Sequence, residues 1–310
     1  MTNGRIVVTG GAGFLGSAVV RALGAEGVPP DRIRVPRSTT DDLRTMAACR
    51  RVVEGADVVI HLAGRVGGIG YNRERPGELF YDNLIMGAQL IEAARDAGVR
   101  KVVAVGTVCA YPKHTPVPFR EDDLWNGYPE DTNAAYGLAK KMLLVQARAY
   151  RQQYGLNTIY LLPANLYGPG DRVDPDRSHV IPALIGKVAD ALRRGETFID
   201  VWGTGRASRE FCYVDDAAEA IVLATRRYDG EAPVNIGSGR ETTIKELVET
   251  ICRLMRFTGD IRWQASQPDG QPRRSLDTSR AREAFGFTAR TPLEDGLAKT
   301  IAWYRGLQSH

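Results

Sequence analysis

A glycine-rich turn near the N-terminus constrains the fold of this 310-residue chain more than any other stretch. Arg5–Thr9 is predicted to be a short buried strand, Gly10-x-x-Gly13-x-x-Gly16 follows it, and residues 17–25 are predicted to be helical. The glycines allow a tight turn, and the start of the helix favours a pyrophosphate. A lone glycine motif is a weak signal. Here strand, loop and helix stand in the order that a dinucleotide-binding unit requires.

Strands and helices alternate along the first half of the chain. Strands are predicted at residues 32–35, 57–63, 101–106 and 158–162, and long helices at 77–97 and 132–154. This alternation predicts an α/β fold with a doubly wound, Rossmann-like parallel sheet. Residues 1–164, with returning segments at about 211–240, are predicted to form the dinucleotide-binding domain. Residues 165–210 and 241–310 are predicted to form a smaller, mixed α/β substrate-binding domain.

The end of the second predicted strand bears on the choice of cofactor. Many dinucleotide domains carry an acidic residue there, which binds the ribose 2′-hydroxyl. This chain has Pro36, Arg37 and Ser38 instead. Arg37 can hold a 2′-phosphate, which favours NADP over NAD, although an exposed loop arginine is the simpler interpretation. Asp42 lies where a contact to the adenine is possible, and a bland polar loop is again the alternative.

Two pairs of side chains suggest chemistry. Tyr136 and Lys140 stand four residues apart, so a helix would place them on one face. The lysine charge is expected to lower the pKa of the phenol from about 10, which would make it a ready proton donor. Thr107 and Cys109 follow the strand at 101–106, at the edge where ligands bind in open α/β sheets. The alternatives without a catalytic role are a surface tyrosine and a cysteine packed in the core.

Composition excludes several classes of protein. The chain is 43% apolar and 25% charged, and its net charge of +4 is scattered rather than clustered, which argues against nucleic-acid binding. The four cysteines, Cys49, Cys109, Cys212 and Cys252, form no C-x-x-C pair, so no zinc site is expected. No signal peptide and no membrane span are expected, and we predict a cytoplasmic protein.

Taken together, the glycine motif, Thr107 and Tyr136-x-x-x-Lys140 resemble the extended short-chain dehydrogenase/reductases that act on nucleotide sugars. The resemblance spans the chain, and further stretches narrow it to the GDP-L-fucose synthase family. They are Arg65-Val-Gly-Gly, Val108-Cys-Ala-Tyr-Pro, Asn133-Ala-Ala-Tyr-Gly-Leu-Ala-Lys, Asn165-Leu-Tyr-Gly-Pro, Ser178-His-Val-Ile-Pro and Pro268-Asp-Gly. This resemblance implies 3,5-epimerisation and 4-reduction of GDP-4-keto-6-deoxy-D-mannose to GDP-L-fucose with NADP(H).

The resemblance also implies roles for individual residues. Cys109 and His179 would exchange protons at C3 and C5, Tyr136 would protonate O4 beside Lys140, and Thr107 would steady the C4 oxygen. The implied cofactor contacts are Gly10, Gly11, Ala12, Gly13, Phe14, Leu15, Gly16, Arg37, Asp42, Leu62, Ala63, Tyr136, Lys140, Pro163, Asn165, Leu166 and His179. The implied substrate contacts are Lys187, Trp202, Arg209 and Asp269. By analogy of fold, the helices at 77–97 and 132–154 would form a homodimer interface.

The chain departs from the family pattern at three places. Thr107 stands where serine is usual, Arg65 stands where lysine is common, and residues 171–177 carry different charges. These departures leave open a related sugar, such as another GDP- or dTDP-linked 4-keto sugar. A nucleotide-sugar 4-epimerase or simple 4-ketoreductase with retained NAD(P) is the alternative. A non-catalytic NADP-binding regulator ranks lower, because this chain keeps both Tyr136 and Lys140.

Overall fold

The structure is a computed structural model that describes residues 4–174, 178–267 and 270–308. Its strands are β1 Arg5–Thr9, β2 Ile33–Arg34, β3 Ala56–His61, β4 Lys101–Val105, β5 Asn157–Pro163, β6 Asn165–Tyr167, β7 Phe198–Trp202, β8 Ser208–Tyr213, β9 Val234–Ile236, β10 Glu241–Thr243, β11 Asp260–Gln264 and β12 Arg273–Arg274. Its α-helices are α1 Phe14–Ala25, α2 Met46–Val53, α3 Ile69–Glu74, α4 Pro76–Asp96, α5 Ala134–Tyr154, α6 Val180–Arg194, α7 Val214–Arg227, α8 Ile244–Met255, α9 Ser279–Phe285 and α10 Leu293–Gln308.

A parallel sheet with the strand order β2-β1-β3-β4-β5-β9 forms the centre of the molecule. Its inner strands are largely apolar, and every residue of β4, Lys101 included, is buried, as expected for a sheet covered on both faces. The helices pack in two groups, α1 with α7, and α4 with both α2 and α5. The predicted Rossmann-like parallel sheet is therefore confirmed.

Smaller sheets and a second core follow the central sheet. Strand β8 lies between β10 and β12 and also pairs with β6, while β7 pairs with β11. A second cluster of buried apolar side chains draws on residues 167–257 and 297–304. The first and larger cluster of buried apolar side chains includes residues from 276–287. The sequence predicted that these residues belong to the substrate-binding domain. The division into two domains stays a prediction.

The structure differs from the sequence-based elements at several places. Helix α1 begins at Phe14 rather than at residue 17, because Gly13 serves as its N-cap and the last glycine of the motif lies inside the helix. Helix α3 begins within the glycine-rich stretch at 64–70. Elements absent from the sequence-based prediction include helices α2, α3 and α9 and strands β6, β7, β10 and β12. Strand β12 has two residues and exists through its pairing with β8, which local sequence does not encode.

Two kinds of feature are absent from the described residues. None of their helices combines the length and the apolar character needed to cross a membrane. No group of three or more His, Cys, Asp or Glu side chains among them is arranged to hold a metal ion.

Candidate active site

Thr107, Cys109 and Tyr136 meet where β4 ends. A short 3-10 turn, Val108–Ala110, follows the strand, and the Oγ1 atom of Thr107 caps it by accepting the Cys109 N–H at 3.2 Å. Tyr136 lies in the first turn of α5 and shares a side-chain hydrogen bond with Thr107. A Cβ added to Gly137 would lie 2.3 Å from the Cys109 carbonyl oxygen, so only glycine permits this approach. The packing therefore sets thiol, hydroxyl and phenol side by side.

The electrostatics of Tyr136 and Lys140 correct one expectation. Burial and the neighbouring Cys109 raise the pKa of the Tyr136 phenol, and the hydrogen bond with Thr107 acts in the opposite direction. Lys140 is only 3% exposed, and burial lowers the pKa of its ammonium group to about 8. Its Nζ donates to the carbonyl oxygen of Ala63 at 3.4 Å. The prediction that Lys140 lowers the pKa of Tyr136 is wrong for this structure, because desolvation outweighs any attraction between the two groups.

The glycine loop forms a cradle beside Lys140. A Cβ on Gly16 would lie 2.0 Å from the Gly10 carbonyl oxygen, which requires glycine at position 16. Gly13 caps α1 without a side-chain hydrogen bond, which leaves backbone N–H groups of the first turn for an anion. A Cβ on Gly10 would lie 2.8 Å from the Ala63 nitrogen, so the loop borders the residue that Lys140 contacts. This edge of the sheet can accept a pyrophosphate.

Arg37 and Asp42 lie beyond the end of β2. Arg37 is exposed, and its carbonyl oxygen accepts the Asp41 N–H at 2.7 Å to close a turn. The contacts that the described residues make include none to the Arg37 guanidinium. Asp42 is paired with Arg44, whose Nη2 donates to Oδ2 at 2.8 Å, and this pairing lowers the pKa of Asp42. The contact between Asp42 and adenine stays a prediction.

The residues after β5 continue the same edge. Pro163 is the last residue of β5 and is buried, while Asn165 and Leu166 open β6 and are partly buried. The Asn165 Nδ2 atom donates to the Glu210 carbonyl oxygen at 2.9 Å. This bond joins β6 to β8, so the predicted cofactor stretch also leads into the second core.

His179 stands at the N-cap of α6 beside a carboxylate that the sequence did not single out. Its Nδ1 is 3.6 Å from the Oδ1 of Asp171, a side chain that is 4% exposed. Within the described residues, the Asp171 Oδ2 is buried without a hydrogen-bond partner. A Cβ on Gly170 would lie 3.9 Å from Phe14, so this loop borders α1. The differing charges at 171–177 are the only sequence signal that pointed to Asp171.

The predicted substrate residues form two groups. The Lys187 Nζ donates to the Asp200 carbonyl oxygen at 2.9 Å and stands 5.8 Å from the centroid of Trp202, which is 65% exposed. Burial lowers the pKa of Lys187. Arg209 donates from Nη1 to the carbonyl oxygens of Ser208 and Gln271, at 2.7 and 2.6 Å. Asp269 lies outside the described residues.

With this geometry established, comparison with known proteins defines the class. Residues 6–237 match the NAD dependent epimerase/dehydratase family, and the chain belongs to this family. Among its relatives, the chain is 39% identical to the GDP-L-fucose synthase of Sinorhizobium fredii, over 96% of this chain and 94% of that protein. The resemblance predicted from the motifs is thereby confirmed.

Solved structures agree with that placement. A GDP-L-fucose synthetase from Naegleria fowleri, solved bound to NADP, has a TM-score of 0.90 and 28% identity, covering 100% of this chain and 96% of that one. A GDP-6-OMe-4-keto-L-xylo-heptose reductase from C. jejuni has a TM-score of 0.92 and 25% identity, covering 99% of each chain.

Proposed function

We propose that this protein is an NADPH-dependent enzyme that epimerises GDP-4-keto-6-deoxy-D-mannose at C3 and C5 and reduces it at C4, giving GDP-L-fucose. The observation that carries the proposal is the cluster of Thr107, Cys109 and Tyr136 at the end of β4. This cluster combines a thiol for proton exchange with a phenol for proton donation. The relatives named GDP-L-fucose synthase support the choice of substrate.

The residues present fit NADP(H). The backbone cradle of Gly10–Gly16 suits a pyrophosphate, and the Arg37 guanidinium suits a 2′-phosphate. We infer that Leu62, Ala63 and Lys140 line the site beyond the loop, with Pro163, Asn165 and Leu166 at its far side. NADPH supplies the reducing equivalent at C4. The residues of the chain would hold NADPH, exclude water from the site and move protons.

Epimerisation would use the acidity of protons next to a ketone. Loss of a proton from C3 or C5 leaves an enolate that spreads onto O4, and a proton returned to the opposite face inverts the centre. Cys109 and His179 carry a thiol and an imidazole, which can each accept or donate a proton. We infer that Asp171 orients His179 for this task, since its buried carboxylate stands 3.6 Å from the Nδ1 atom.

Reduction would end with a proton on O4. Because the pKa of Tyr136 is raised, its phenol is protonated at neutral pH and can donate. Thr107 would hold the C4 oxygen next to that hydroxyl. With a pKa of about 8, Lys140 is mostly charged at pH 7, so a cation lies close to the developing phenolate.

The nucleotide part of the substrate would lie over the region that contains the second hydrophobic core. Lys187 and Arg209 carry positive charge for a diphosphate, and the exposed Trp202 ring offers a surface on which a base can stack. Each of these groups can select a nucleotide-linked sugar over a free one. A contribution from Asp269 stays a prediction of the sequence.

We further infer a homodimer formed through α4 and α5. Each helix bears an incompletely buried stripe of apolar residues at helical spacing, and Tyr81 and Val145 are 60% and 46% exposed. The stripes consist of Tyr81, Leu84, Ile85 and Ala88 on α4, and Leu138, Met142, Val145 and Ala149 on α5. Light scattering should give twice the 34.0 kDa chain mass, and Tyr81→Glu with Val145→Glu should give the monomer. The cytoplasmic location and the lack of nucleic-acid binding stay predictions of the sequence.

The deciding experiment combines the substrate, NADPH and deuterated water. We expect NADPH oxidation and solvent deuterium at both C3 and C5 of the product. Cys109→Ala should lose the label and retain reduction, whereas Tyr136→Phe should lose reduction and retain exchange. Oxidation without label would identify a simple 4-ketoreductase. Bound cofactor that is never consumed would identify a 4-epimerase, and an active Tyr136→Phe variant would remove the phenol from its role.

A further inference from the structure

Arg274 is a buried arginine that contacts the thiol of Cys109. It lies in β12, in register with Arg209 of β8, and is 9% exposed. Its Nη1 is 3.7 Å from the Cys109 Sγ, while its Nε and Nη2 donate to the Oε1 of Gln271 at 3.1 and 3.0 Å. Within residues 4–174, 178–267 and 270–308, the Arg274 side chain forms no ion pair with a carboxylate.

The neighbouring arginine has the opposite environment. Arg273 precedes Arg274 in the same strand, so its side chain points to the other face. Its side chain is 60% exposed and forms an ion pair with Glu241 at 2.5 Å. The sequence shows only two adjacent arginines in a charged stretch. The strand pairing makes one a surface residue and buries the other against the thiol.

Because Arg274 is buried, its positive charge requires compensation by nearby groups. A guanidinium stays protonated at any ordinary pH, and a buried charge is costly unless opposite charge or hydrogen bonds compensate it. The amide oxygen of Gln271 is neutral and compensates only in part. The Tyr136 phenol on α5 also faces Cys109, and it is uncharged at neutral pH because burial raises its pKa. A thiolate on Cys109 would therefore complete the compensation of Arg274.

We propose that Arg274 is a positioning residue that holds Cys109 as a thiolate, the form that removes a proton next to the keto group. This inference rests on the proposed epimerase function and adds a residue to it. In the step concerned, the C–H bond breaks, an S–H bond forms, and the electron pair moves into the enolate of the 4-keto group. Removal of the positive charge would leave a neutral thiol, which is a poor base.

Gln271 ties this arrangement to the substrate side of the cleft. Its side-chain oxygen holds Arg274, its Nε2 donates to the Lys113 carbonyl oxygen at 2.9 Å, and its own carbonyl oxygen accepts from Arg209 at 2.6 Å. One residue thus orients both the guanidinium at the thiol and a proposed diphosphate contact. A change at Gln271 should disturb both.

Alkylation of the free enzyme tests the proposal without any substrate. Iodoacetamide is neutral and reacts with thiolates, so its rate against pH reports the ionisation of Cys109. The other cysteines are buried, and burial raises the pKa of Cys49 to about 12 and of Cys252 to about 11. Mass spectrometry then assigns the modified residue, with Cys109→Ser as the blank.

Three variants make the experiment discriminating. Arg274→Gln should move the pH midpoint of alkylation upward by about one unit or more, in line with loss of an adjacent cation. Arg274→Lys keeps the charge and should keep the midpoint nearer the original. Arg273→Gln, the matched control, should leave it unchanged. Gln271→Glu keeps Arg274 but gives its guanidinium a carboxylate partner, so the pH midpoint of Cys109 alkylation should also rise. This variant keeps the test valid if Arg274→Gln does not fold.

An unchanged midpoint in a folded Arg274→Gln or Gln271→Glu variant would overturn the proposal. An equal shift in Arg273→Gln would also overturn it, because a general change in surface charge would then account for the effect. Deuterium exchange provides the second readout: we expect Arg274→Gln to slow labelling about tenfold at neutral pH and NADPH binding to stay the same. If the wild type lacks turnover on the proposed substrate while the midpoint shifts, the function is wrong and the link between Arg274 and Cys109 stands.

Discussion

Replacement of Lys140 by methionine should stabilise the protein while abolishing its activity. Burial lowers the pKa of Lys140 from 10.5 to about 8. At about 1.4 kcal/mol per unit, the folded state at pH 7 bears a cost of about 3 kcal/mol for its buried ammonium group. Methionine removes that cost, and leaves the Ala63 carbonyl oxygen without its donor, which costs about 1 kcal/mol. The variant should be more stable by about 2 kcal/mol at pH 7.

The pH dependence identifies the cause. Because the folded pKa lies below the unfolded one, the unfolded chain binds more protons between pH 8 and 10.5, so the wild type gains stability as pH rises through this window. The cost at pH 9.5 falls to about 1.5 kcal/mol, so the advantage of Lys140→Met should shrink by about 1.5 to 2 kcal/mol. Differences between variant and wild type cancel the contributions of other groups.

Urea unfolding at pH 7 and pH 9.5 measures both quantities. Lys245→Met is the control, because the side chain of Lys245 is 63% exposed, and its difference from wild type should be small at either pH. A Lys140→Met variant that is less stable than wild type at pH 7 would refute the reasoning. So would a stability difference that does not change with pH.

Further predictions concern single contacts. Gly137→Ala brings a Cβ within 2.3 Å of the Cys109 carbonyl oxygen. Thermal unfolding should show a loss of about 1–3 kcal/mol of stability, and most of the activity should be lost. In the matched variant Gly24→Ala, the new Cβ in α1 meets nothing within 4 Å, and the protein should gain about 0.5–1 kcal/mol of stability. Asp171→Asn removes the carboxylate beside the Nδ1 atom of His179 and should slow deuterium exchange about tenfold, and an unchanged exchange rate would exclude the proposed orientation. Arg37→Ala should weaken NADPH binding in titration about tenfold or more and leave NADH binding intact; equal losses would contradict a 2′-phosphate contact.

Much of the proposed cofactor-binding region could be predicted from local sequence. Strand, glycine loop and helix are contiguous in the chain, and so the turn over Gly10–Gly16 could be predicted from residue types alone. The alignment of Tyr136 with Lys140 follows from helical periodicity, and Thr107 and Cys109 were placed at a strand end for a similar reason. These features depend on neighbours within a few residues.

Other features came only from residues that are distant in sequence. Helix α5 approaches Cys109 because residue 137 is glycine, and Arg274 reaches the same thiol because a two-residue strand pairs with β8. No local pattern encodes either approach.

Residue types determined which chemical groups this chain brings to the cleft, and tertiary structure decided their ionisation. The spacing of Tyr136 and Lys140 suggested a phenol with a lowered pKa, yet the pKa of Tyr136 is raised and that of Lys140 is lowered. Both shifts arise chiefly from desolvation. The exclusion of water depends on every element packed around a group, and no four-residue spacing contains that information.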